Sequence, residues 1–204
     1  MSLATVLYNY HGIIMCADKL VNATTTDSTY HCSFTEQKLF LIEGKYGLSY
    51  TGTASVDNIP LSALLEEYFI QNKIEDKDPA EWLLQLATYF HNKLTESQNI
   101  VFIFCGYYNN KKFILNTNTI QPNVNSTNKE YGLTYSGETN FLKCIIETDA
   151  IAFDYIKLTI QDAINFLRFL NETVANMMYY GQYLQTVSKE CDILVIKSND
   201  IHLV

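Results

Sequence analysis

Ser2 follows Met1 directly, and the first acid after it, Asp18, closes the second of two short β-like runs, LATVLYNY and GIIMCADK. A serine hydroxyl attacks an acyl carbon only when a base takes its proton. If Met1 is removed, Ser2 carries that base itself, an α-amine whose ordinary pKa is about 8. An acylated nitrogen is no base, so removal of Met1 is the precondition. The small Ser2 side chain suits Met-Ser as a substrate for methionine aminopeptidase. Further along, Lys38 in QKLFLI offers an ammonium and Gly52 in SYTGTA an accessible main-chain N–H. Each residue alone has a plainer reading: Asp18 as a turn former, Lys38 as a solvated edge residue, Gly52 as a turn, Ser2 as an ordinary second residue.

These groups can act together only if strands bring them together. The two N-terminal runs meet at His11-Gly12 as a hairpin, and the polar stretch 22–35 reads as a loop. QKLFLIEG and YGLSYTG form a second hairpin turning at Gly44-Lys45. Between 55 and 73 the period changes to that of a helix, carried by Leu61, Leu64, Leu65, Tyr68 and Phe69. A second helix starts at Asp78-Pro79, with Pro in its first turn, and runs over 79–95. NIVFIFCGYY and KKFILNTN are strands around a tight Asn109-Asn110 turn, and YGLTYSG is a third. A helix follows over 138–147, and the longest begins after Thr159, where Asp162 completes a box-like cap. The chain then returns to strands in CDILVIKS and IHLV, turning at Asn199-Asp200. Strand groups alternating with helix pairs predict an α+β, four-layer αββα sandwich: two stacked antiparallel sheets covered by helices.

The composition narrows the classes. The 204 residues fit one domain, 1–204, and 48% apolar residues can fill its core. The net charge of −8 and the lack of a basic stripe argue against a nucleic-acid partner. Five scattered cysteines, none in a CxxC pair, read as reduced thiols, with no zinc site and no disulfide frame. No apolar run reaches the roughly 20 residues of a membrane helix, and no charged n-region with a long apolar stretch opens the chain. A cytoplasmic protein without membrane partner, metal or cofactor is the expectation. Apolar residues off the helix stripes, Tyr89 with Phe90 and the MMYYGQY run at 177–183, suggest burial against further copies of the chain.

The order of elements behind an N-terminal serine resembles the N-terminal nucleophile (Ntn) hydrolases, specifically proteasome-type β subunits. The resemblance spans nearly the whole chain and is strongest over residues 1–55. Gly12 matches the hairpin glycine, Ala17-Asp18 the Ala-Asp pair, Lys38 the family lysine and Gly52 the glycine ending the fourth strand. It implies peptide or amide hydrolysis through an acyl-enzyme. Ser2 would be the nucleophile in place of the usual Thr, and Lys38, on a neighbouring strand, would lower the hydroxyl pKa. Asp18 would hold that lysine, and the Gly52 N–H would stabilise the oxyanion. Ser136 in YSGET matches a further Ser-Gly, read either as support for the N-terminus or as a helix N-cap. Val21, Tyr50 and Thr53 fall along the substrate pocket, where the Tyr50 ring narrows or closes the floor.

The match departs from the family near the last strands. Gln185 stands where an acid that orients the nucleophile is usual, and Lys189 and Glu190 replace glycines, while Ser188 and Asp192 fit. Gln185 and Ser188 are the expected supports of the N-terminus. The resemblance thus leaves three activities: an N-terminal serine peptidase, a catalytically silent subunit serving as scaffold or binding module, and a non-peptidase amidase on the same fold. Its implied partners are a peptide or amide substrate, further copies of the chain in a homo-oligomer that could be a ring, and an unfoldase of unknown kind.

Overall fold

The N-terminal hairpin pairs β1 (Leu3–Asn9) with β2 (Gly12–Asp18), and every residue of both strands is buried. Their near-continuous apolar runs are what a strand covered on both faces requires. The computed structural model describes residues 2–24, 29–33, 35–75, 77–147 and 153–204. Next come β3 (Val21–Thr24) and β4 (Thr29–Ser33), paired antiparallel, then β5 (Leu39–Ile42) and β6 (Tyr46–Gly52). The β3–β4 pair corrects the expected loop over 22–35 at residues 22–24 and 29–33, while 25–28 and 34 lie outside the described residues. Its Thr, Tyr and Val residues favour strand, although the polar composition masks the alternation.

A second correction falls at 55–60, expected as the first helical turn. Here β7 (Ser55–Val56) and β8 (Ile59–Pro60) form a miniature hairpin. Asp57 and Asn58, both at positive φ (51° and 64°), are its two-residue turn. Helix α1 therefore starts only at Leu61 and ends at Gln71. Helix α2 (Pro79–His91) begins as expected: the Asp78 carboxylate accepts from the N–H groups of Ala80 and Glu81, and Pro79 needs no donor.

β9 (Ile100–Tyr108) and β10 (Lys111–Asn118) turn at Asn109-Asn110, both at positive φ, followed by the short β11 (Asn125–Ser126) and by β12 (Gly132–Gly137). Helix α3 (Thr139–Ile146) precedes the long α4 (Ile160–Tyr180), whose start is a complete capping box between Thr159 and Asp162. β13 (Cys191–Lys197) and β14 (Asp200–Leu203) follow, and their turn sits at 198–199, one residue earlier than expected.

The strands form two five-stranded antiparallel sheets, ordered β12-β1-β2-β13-β14 and β11-β10-β9-β6-β5. Between them lies one apolar layer, including Ala4, Val6, Met15, Leu39, Ile103 and Leu194. On the outer face of the second sheet, Leu61, Leu65, Trp82, Leu86 and Phe90 of α1 and α2 pack on Leu48 and Phe102. On the outer face of the first, Leu142 of α3 and Leu167, Leu170 and Val174 of α4 pack on Leu7, Ile14 and Val195. The architecture is the expected four-layer αββα sandwich. Phe90, expected on an outer surface, is fully buried in this core, whereas Tyr179, Tyr180 and Tyr183 are exposed. No helix among the described residues is long and apolar enough to cross a membrane.

Candidate active site

Asp18 ends β2 at one edge of the gap between the sheets, with its side chain wholly buried. Isolated burial of a carboxylate is prohibitive, so its partners define the site. Oδ1 accepts the Leu3 N–H at 2.9 Å and the Lys38 ammonium at 3.0 Å. Oδ2 accepts the N–H groups of Leu20 at 3.0 Å and Ser188 at 3.2 Å. One carboxylate thus ties together the residue after Ser2, the lysine, the strand exit and the segment before β13.

Lys38 lies just before β5, where its carbonyl accepts the Tyr50 N–H at 3.2 Å. It belongs to the second sheet. This corrects the expectation that it acts from a strand beside β1: the Lys38–Asp18 pair bridges the two sheets. The Lys38 side chain is fully buried and also donates to the Leu20 carbonyl. Burial pushes its pKa below the ordinary lysine value, and the attraction and hydrogen bond of Asp18 oppose that shift.

Ser2 is buried at 4% exposure, and its carbonyl accepts the Glu138 N–H at 2.7 Å. Gly137, opposite Leu3 in the β1–β12 register, lets this segment approach. Its φ is +94°, and a Cβ there would stand 1.8 Å from the Ser2 oxygen. The Ser136 hydroxyl shares a 3.0 Å hydrogen bond with that of Thr51 on β6. It does not cap α3, whose N-cap position is Glu138 without a side-chain cap bond.

Gly52, at φ +104°, is exposed at the end of β6. The neighbour that demands glycine is the Asn99 carbonyl, 2.2 Å from where a Cβ would lie. The expected reason, close approach of substrate, is not needed to explain it. Thr53 is half-buried and bonded to Asn99: its N–H donates to the Asn99 carbonyl, and its hydroxyl accepts the Asn99 N–H. Tyr50 is 1% exposed, stacked on Phe40 on the helix side of the sheet, and its hydroxyl donates to Glu36 at 3.3 Å. Burial raises its pKa strongly. Val21 is half-buried at the start of β3.

The Gln185 side-chain amide donates to Val187 within its own segment, and its main-chain carbonyl accepts from Asn22. Ser188 is more closely engaged. Its hydroxyl accepts the Lys19 N–H at 2.9 Å and donates to the Glu190 carbonyl at 2.7 Å. Asp192 pairs with Lys19 at 2.9 Å. A pocket of about 370 Å³ lined by Tyr179, Gln185, Ser188, Lys189 and Glu190 shares only Ser188 with the Asp18 network. Among the described residues, no group of three or more His, Cys, Asp or Glu side chains is placed to hold a metal ion.

Sequence reasoning missed Thr51 and the main-chain donors of Leu3 and Glu138, and it noted the Ser136-Gly137 pair without the close approach of Gly137 to the Ser2 carbonyl. Thr51 could have been found from strand alternation, being one residue from Gly52 on a strand facing β12. The main-chain donors carry no side-chain signal.

No protein-family model matches the chain, and no curated protein matches it. Solved structures do. Anbu from Hyphomicrobium sp. strain MC1 superposes with a TM-score of 0.69 at 15% identity, over 99% of this chain and 86% of that one. Eukaryotic HslV from Trypanosoma brucei superposes with a TM-score of 0.63 at 14% identity, over 96% of this chain and 99% of that one. At such identity the likeness concerns the fold, which is proteasome-like and of the Ntn type.

Proposed function

We propose that the protein is an N-terminal serine hydrolase that cleaves peptide or other amide bonds, with Ser2 as nucleophile once Met1 has been removed. The observation that carries the reading is the buried Asp18 carboxylate, which holds the Leu3 N–H and the Lys38 ammonium on the same oxygen. Such a pair is costly to bury, and a purely structural site is as well served by apolar residues. Two of the three ammonium donors go to Asp18 and the Leu20 carbonyl, leaving one for the Ser2 hydroxyl. The freed α-amine takes the hydroxyl proton as Oγ bonds to the substrate carbonyl carbon. The Gly52 N–H stabilises the oxyanion. As the amide C–N bond breaks, the amine product leaves with that proton, and water hydrolyses the ester that remains.

The test is hydrolysis of a broad peptide and amide library by protein with Ser2 as its verified first residue. Activity lost in Ser2→Ala supports the reading. A specific observation favours a second one, the catalytically silent subunit: Gln185 stands where the resemblance implies an acid that orients the nucleophile. Folded, processed protein that neither cleaves the library nor reacts at Ser2 with a hydroxyl-directed electrophile establishes it.

A further inference from the structure

Thr51 and Ser49 alternate on the face of β6 that looks across to the first sheet. Ser49 lies directly opposite Leu39 and Ile103, which belong to the layer between the sheets. Both hydroxyls are buried, at 1% exposure each. Among the described residues Ser49 Oγ makes no hydrogen bond, whereas Thr51 Oγ1 reaches across the gap to Ser136 Oγ at 3.0 Å.

That contact sits between the parts of the site that must be kept in register. Gly52, directly after Thr51, carries the proposed oxyanion donor. Gly137, directly after Ser136, crowds the Ser2 carbonyl, and Glu138 hydrogen-bonds it. The Thr51 methyl completes the wedge: a Cβ on Gly137 would stand 3.1 Å from Thr51 Cγ2. The nucleophile is anchored to the first sheet and the donor to the second. We infer that Thr51 is a positioning residue whose hydroxyl bond to Ser136 sets the separation of the Gly52 N–H from Ser2. This rests on the proposed roles of Ser2 and Gly52.

The two halves of the Thr51 side chain can be tested separately. Thr51→Val keeps the methyl and loses the hydroxyl, and Thr51→Ser does the reverse. In processed protein, Thr51→Val is expected to lower kcat about tenfold or more with KM nearly unchanged, because donor misplacement acts on the transition state. Thr51→Ser is expected to stay within about threefold of the parent, and Thr51→Val/Ser136→Ala to be no worse than Thr51→Val, since both remove one bond. If Thr51→Ser is impaired and Thr51→Val is not, the residue only fills space and the inference fails. It also fails if an active, Ser2-dependent enzyme is indifferent to Thr51→Val. Should the parent hydrolyse nothing, the proposed function fails by itself, and hydrogen exchange at the Glu138 amide still decides. Thr51→Val is expected to speed that exchange about tenfold with global stability little changed, because loss of register loosens the bond to the Ser2 carbonyl. Unchanged exchange overturns the inference. Where Thr51→Val does not fold, Ser136→Ala removes the same bond from the other sheet and is read in its place.

Discussion

Asp18 and Lys38 pair inside the protein with no exposed side-chain surface, so removing either one strands the other. Lys38→Ala is expected to cost about 3–5 kcal/mol by leaving the carboxylate unpaired, measurable as a lowered denaturation midpoint with unchanged slope. Under the proposed chemistry it also abolishes hydrolysis. Stability must therefore be measured first, and activity compared at a temperature where the variant is folded. Ser2→Ala removes one buried hydroxyl and leaves the four hydrogen bonds to Asp18 in place. It is expected to leave thermal stability nearly unchanged while eliminating turnover, and Ser2→Thr to retain part of it. A titrating electrophile with intact-mass detection checks both variants.

The turns and caps of individual elements can be tested without any substrate. Thr159→Ala breaks the reciprocal cap of α4 and is expected to destabilise by roughly 1 kcal/mol, read from chemical denaturation. Gly137→Ala meets both a left-handed backbone and the Ser2 carbonyl. It is expected to cost more than about 1 kcal/mol and to displace the β1–β12 pairing at Ser2, visible as chemical-shift changes confined to that end of the sandwich. The same elements show what could be read from the chain. The α2 and α4 starts were legible because Asp78-Pro79 and Thr159 with Asp162 act locally. The β1–β2 hairpin was legible because its apolar runs are long. The β3–β4 pair was not, because its residues are largely polar and show no clear apolar alternation in the sequence. The 55–60 hairpin hid behind a helical period that begins only at Leu61. At the site, Asp18 and Lys38 were legible as an acid and a base in family order. Their placement on opposite sheets was not, since residue order says nothing about which layer a strand joins.

At the scale of the whole molecule, buried phenols make the fold sensitive to alkali. Burial holds the Tyr68 pKa up to about 12 against an ordinary 10.0. A phenol raised in the folded state contributes stability that is present below 10.0 and is lost as the pH rises through the folded value. Stability is expected to fall between pH 10 and 12, and Tyr68→Phe to fall less over the same range. Association is a separate expectation. Tyr179, Tyr180, Tyr183 and Leu184 are each at least half exposed around the end of α4. We propose that they bury against another copy of the chain, so sedimentation at micromolar concentration should show an oligomer that Tyr180→Glu weakens. The pairing order of the first sheet also bears on how the protein is made. β1 and β2 leave the ribosome early, yet β1 must wait for β12 and β2 for β13, and Asp18 gains its Ser188 donor only when residues near 188 have emerged. Since chains are synthesised from the N-terminus at about 5–20 residues per second, Ser2 spends most of translation without its network. Under the proposed chemistry a nascent chain is not yet competent: Asp18 is fully partnered only after the segment around Ser188 has emerged, and ribosome-held fragments ending before β13 should be unreactive at Ser2.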